Sequence, residues 1–134
     1  MSGIIELSRA VGKRLLAWSI ASVTIGTIIY LSSPGTIFSG IGLQAIIWGS
    51  IDAAIAAFIL FKQKQQSVEK ITKTVSINIY LDCIYQIVGL VIIVFYYQNP
   101  FFMGNGIGVI IQGFFLLILD RSYHKSLRNL RTSN

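Results

Sequence analysis

Charge is scarce in this chain of 134 residues: Asp, Glu, Lys and Arg make up 12% of it, against a hydrophobic fraction of 54%. That balance excludes an ordinary soluble domain, whose charged share is about twice as large. Cysteine occurs once, so no intramolecular disulfide can form, and Cys83 lies inside an apolar run where it acts as a small apolar side chain. Histidine also occurs once, which leaves no ligand set for a metal and no axial pair for haem. With a single histidine and no nucleophile motif near it, no Ser-His-Asp arrangement can be drawn. "GNGIG" at 104–108 lacks the preceding β-strand of a nucleotide loop. No catalytic residues, cofactor or metal are therefore expected.

Against these absences stand four apolar stretches of roughly 18 or more residues, about what a helix needs to cross a bilayer core. They run from Leu15 to Ser32, Ile41 to Phe61, Val75 to Tyr97 and Met103 to Leu119. The fourth is expected to start late, because Gly104, Asn105 and Gly106 weaken a helix. The first, preceded by basic residues, is longer than the apolar region of a leader peptide and lacks a clear A-x-A site, so it is read as a retained anchor. The fold class is all-α, a polytopic membrane four-helix bundle.

The net charge of +6 invites a nucleic-acid reading, which the positions of the basic residues exclude. Arg9, Lys13 and Arg14 precede the first span, Lys62, Lys64, Lys70 and Lys73 separate the second from the third, and Arg121, Lys125, Arg128 and Arg131 follow the fourth. The opposite loops, 33–40 and 98–102, carry no charge. The positive-inside rule then puts both termini in the cytoplasm of a multi-pass plasma-membrane protein. Residues 1–14, with Ile4, Ile5, Leu7 and Val11 among polar neighbours, suit an interfacial amphipathic segment. Residues 121–134 form a basic tail suited to anionic lipid headgroups.

Two stretches, "PGTIFSGIG" from Pro34 and "PFFMGNGIG" from Pro100, share proline, five residues and Gly-Ile-Gly at a gapless shift of 66. The same shift superposes Tyr30 on Tyr96. The pattern describes two tandem αα-hairpins related by an axis along the membrane normal. Proline would stop each outgoing helix, and glycine would let the returning one start close to its neighbour. An ungapped match of this size also suits any two turns at a membrane surface, where proline, glycine and aromatics are common. Gly49 with Ala53, and Ala53 with Ala57, make small-xxx-small pairs that place the second span at the centre or at a homo-oligomer contact.

Three of the five acidic residues lie within or at the end of a span: Asp52, Asp82 and Asp120. An ionisable group in hydrocarbon costs at least about 2.5 to 3.5 kcal/mol and so faces the bundle interior. Counting about 1.5 Å per residue from the basic ends puts Asp52, Asp82, Gln86 and Gln112 in one layer. Asn78, Asp82 and Gln86 form a stripe on the third span, and Gln44, Trp48 and Asp52 another on the second. The layer is either structural glue or a site in which Asp52 and Asp82 hold a cation, a proton or a polar head, oriented by Gln86 and Gln112. At the basic end His124 stands one turn beyond Asp120, so a hydrogen bond between them is expected, with a solvated or ion-paired His124 in any case.

"WGSIDAAIA", "NIYLDCIYQIVGL" and "GNGIGVIIQGFFLLILD" resemble the signatures of a family of small prokaryotic four-helix integral membrane proteins of unknown function. The resemblance covers Gly42 to Asp120 and implies that Trp48, Asp52, Asn78, Asp82, Gln112, Gly113 and Asp120 are motif positions, with Asp52 where either an amide or an acid is expected. It implies no activity. The residues themselves leave three functions open: a small transport or ion-coupling unit using Asp52 and Asp82, a non-catalytic scaffold or accessory subunit, and a membrane-embedded lipid-modifying enzyme.

Overall fold

Each apolar stretch becomes one helix in the computed structural model, and each helix outruns its hydrophobic core. They are α1 (Ser2–Ser32), α2 (Ile37–Phe61), α3 (Val68–Phe95) and α4 (Pro100–Ser133). The structure describes residues 2–61 and 68–133; Lys62 and Lys64 of the expected linker, and the side chain of Arg131, lie outside the described residues. Among the described residues only the turns 33–36 and 96–99 are not helical. All four helices are long and apolar enough to cross a membrane. Their flanks expose large apolar side chains, among them Leu31 at 71% and Phe95 at 75%. So much exposed hydrocarbon suits lipid as the surrounding solvent.

Every helix starts earlier than expected, and α3 ends two residues short of Tyr97. Residues 2–14 are continuous with the first span, and Ile4 and Val11 are buried against the rest of the bundle. Ser8 Oγ and Tyr123 Oη of α4 are hydrogen-bonded at 2.9 Å, and a Cβ on Gly3 would lie 3.2 Å from Leu130 Cδ2, so the start of α1 packs on the end of α4. An apolar face that finds a protein partner this way has no need of the membrane surface. The fourth helix, expected to start at Met103, starts at Pro100 and is the longest of the four. Asn99 caps it, its Oδ1 accepting from the Phe102 N–H at 3.3 Å, and proline is preorganised for the first helical position.

Pro100 thus opens the incoming helix and does not stop the outgoing one, which has already ended at Phe95. In the first turn Pro34 does follow directly on the end of α1, Gly35 takes φ +75°, and Thr36 caps α2 by accepting from the Ser39 N–H at 3.3 Å. The two prolines occupy different places relative to their caps, so the shift of 66 does not align structural roles.

The glycines of α2 and α4 align at a shift of 64, Gly40 with Gly104 and Gly42 with Gly106, and their partners Gly26 and Gly89 at 63. Gly42 meets Gly26 of α1 and Gly106 meets Gly89 of α3; a Cβ on either member of these pairs would come within 2.7 to 2.9 Å of the other's carbonyl oxygen. Gly40 and Gly104 lie where α2 and α4 cross, each against the other helix's backbone. Contact between equivalent positions on two helices running the same way puts the pseudo-twofold axis along the bundle. α4 packs on α1, α2 and α3, while α2 packs on α1 and α4, so the central place expected for the second span is shared with the fourth. Toward the basic end Val11, Leu15, Ala56 and Leu119 form a core of α1, α2 and α4.

Candidate functional site

α2 and α3 barely touch each other. Both lean on α4, and toward the basic end the space between them is a cavity of about 540 Å³ lined by all four helices. Most of its wall is aliphatic, from Ile55 of α2, Val75 of α3 and Leu116 of α4 among others. Into this wall the sequence sets three acids from three helices: Asp52, Asp82 and Asp120. Asp52 is 1% exposed and Asp82 3%. The carboxyl groups of Asp82 and Asp120 adjoin each other, and Asp52 is close enough to both to interact with them electrostatically. An ionised carboxylate only accepts hydrogen bonds, so a bond between two carboxyls requires one proton on the pair.

Asp52 Oδ2 and Asp82 Oδ2 are buried and have no hydrogen-bond partner. A buried polar atom without a partner costs about 1–3 kcal/mol, and more when charged. Two such atoms on one cavity mark the place where a ligand or proton would improve the protein's own energy.

Helical spacing explains which side chains meet. On α3, Asn78, Asp82 and Tyr85 share the cavity face; on α4, Leu116, Asp120 and Tyr123 do so; on α2, Trp48, Asp52 and Ile55. Trp48 and Tyr85 touch across the cavity, ring centroids 4.9 Å apart at 60°. Asp120 lies beside Asp82 and makes no hydrogen bond to His124, as its side chain tilts toward the N-terminus of α4 and up into the cavity. His124 does not line the cavity.

Neither Gln86 nor Gln112 joins the acids. Gln112 turns to α1, accepting from Trp18 Nε1 at 2.9 Å and donating to Ser22 Oγ at 3.5 Å, and Trp18 stacks on Phe115 at 4.0 Å. Gln86 donates to the Ile110 carbonyl at 3.0 Å. Gln44 donates to Asn105 Oδ1 at 2.8 Å and accepts from Trp48 Nε1 at 3.0 Å, while Asn105 Nδ2 donates to the Phe101 carbonyl at 2.9 Å. The single polar layer expected from depth is therefore two sets. Amides tie helices together, Gln44 and Asn105 toward the charge-free end and Gln112 against α1, while acids gather in the cavity toward the basic end. Counting depth along one axis places residues at a height but not at an angle around the bundle, and angle separates Gln112 from Asp82. Asp120 could have been found in the sequence by extending the α4 face through Leu116 and Tyr123.

Residues 14–121 match a family of unknown function, DUF6992, and the chain belongs to it. The match takes in all three acids and both tryptophans. No curated protein and no solved structure matches.

Proposed function

We propose that this member of the family is a small membrane-embedded transport or ion-coupling unit, in which Asp52 and Asp82 take up a cation or a proton. One observation carries the reading: Asp52, 1% exposed, presents a carboxyl oxygen with no partner to a cavity shared with two further acids. The basic residues gathered at one end support a plasma-membrane setting with both termini in the cytoplasm and the end of α4 near anionic headgroups. The cavity then opens near the inner leaflet. α3, which leans mainly on α4, leaves an apolar flank suited to a second copy of the chain. The amide pairs favour the scaffold reading for the other half of the molecule, where every polar group named is spent on holding helices.

The test is proton flux in liposomes loaded with a pH-sensitive dye, with Na+ or K+ added outside after a proton gradient is set. Wild-type protein should dissipate the gradient, and the double substitution Asp52→Asn with Asp82→Asn, similar in shape but without charge, should return the rate to that of empty liposomes. A double variant as active as wild type, or a wild type no faster than bare lipid, refutes the proposal.

A further inference from the structure

We propose that the cavity's occupant is a protonated amphipathic amine that enters sideways between α2 and α3; this rests on reading Asp52 as a cation site. Size argues first. A cavity of about 540 Å³ lies in the range of small-molecule sites, about 300–1,000 Å³, whereas one water takes about 30 Å³, so a lone metal ion or proton would leave most of it empty.

The lining then selects the chemistry. Three carboxyls exclude an anion, and a neutral apolar guest would leave Asp52 Oδ2 and Asp82 Oδ2 unsatisfied. Both atoms are acceptors when ionised, so the guest needs N–H donors, which a quaternary ammonium lacks. The unpartnered oxygens are two, one on Asp52 and one on Asp82, and a single ammonium carries donors enough for both. The rings of Trp48 and Tyr85 meet one turn from Asp52 and Asp82 and line the same cavity, and aromatic rings attract a cation. Aliphatic wall covers the rest, which suits an apolar frame behind the ammonium. Lys70 lines the same cavity, but at twelve residues before Asp82 it stands about 18 Å down α3 from the acids.

The rim gives the route. On the α2 side the lining residues Ile51 and Ile55 are 45% and 47% exposed, and on the α3 side Leu81 is 40% exposed. An apolar rim between two helices that barely touch opens toward lipid, where an amphipathic amine concentrates.

Calorimetric titration of the protein in lipid nanodiscs, with empty discs subtracted, tests this with 4-phenylbutylamine against the uncharged 4-phenylbutan-1-ol. The amine should bind saturably and at least tenfold more tightly than the alcohol. Asp52→Asn should weaken it tenfold or more, and so should Leu81→Trp, which fills the lipid-facing rim and leaves the acids in place. Equal binding of amine and alcohol, or amine binding unchanged in both variants, overturns the proposal. Proton flux that depends on Asp52 in a protein that binds no amine would sink this inference and leave the ion-coupling reading standing; loss of both would sink the two together.

Discussion

Replacing Gly104 with Ala should loosen the bundle by about 2 kcal/mol, although alanine is the better helix former. A Cβ at Gly104 would run into the Ile37 carbonyl oxygen, with Ile37 Cα only 3.0 Å away. At Gly40 it would meet the Phe101 carbonyl oxygen, the Asn105 nitrogen at 2.6 Å and the Gly104 carbonyl carbon at 2.8 Å. Carbon contacts are comfortable from about 3.5 Å, and every obstacle here is backbone, so relief requires α2 and α4 to move apart by about 1 Å. Overpacking costs about 1–3 kcal/mol, and a backbone obstacle puts the cost at the upper end, from which alanine's helix propensity recovers about 1 kcal/mol. The net is about 30-fold in the folding equilibrium. Unfolding by dodecyl sulfate in mixed micelles, followed by helicity, reads this directly. The control is Gly3→Ala, where the new methyl meets only the tip of Leu130 at 3.2 Å and alanine's helix preference should leave the protein no less stable. The pair Gly40→Ala with Gly104→Ala should cost less than the sum, because both wedge open one crossing. A Gly104→Ala protein as stable as the Gly3→Ala control would refute the close crossing on which the arrangement of α2 and α4 depends.

Gln112→Leu should destabilise by about 1–2 kcal/mol in the same titration, since it leaves the Trp18 indole N–H without its acceptor, and should shift the tryptophan emission. Gln86→Leu, which gives up one bond to a backbone carbonyl, should cost nearer 0.6 kcal/mol, the usual size of such bonds in membranes. In a Cys83→Ser background, Gln98→Cys should react with an impermeant maleimide in intact cells, and Ser126→Cys only in inverted vesicles; the reverse pattern would overturn the proposed orientation.

The existence of four helices and their order were legible because each apolar run is long and charge marks one of its ends. Their limits were less so. The "GNG" at 104–106 reads as a helix breaker by propensity, yet it lies inside α4, because the same missing side chains let Gly104 reach α2 and Gly106 reach α3. Tertiary contact outweighed local preference there. Proline at 100 was misread for a related reason: its chemistry suits the start of a helix as well as the stop of the one before, and only the Asn99 cap decides. Of the site, Asp52, Asp82, Asn78 and Trp48 were recoverable from spacing four apart on a helix. Gln86 and Gln112 were wrongly joined to them, and Asp120 was left out, because depth is readable in a sequence while rotation about a neighbouring helix is not.

The two halves of the molecule explain each other. Toward the charge-free end, glycine pairs draw each hairpin together, the Gly40–Gly104 crossing joins the two hairpins, and Gln44 with Asn105 locks the joint. Away from that crossing, space between the helices stays open unless large side chains fill it. On the α1 side Leu15, Leu119 and their neighbours do fill it. Between α2 and α3 the residues that could fill it are instead the short acids Asp52 and Asp82, which leave the volume open and line it with oxygen. A scaffold would gain from larger apolar side chains at these two positions, by packing and by removing unpaired acceptors. That the chain carries acids there, against its own stability, argues that the open volume is what the close crossing serves.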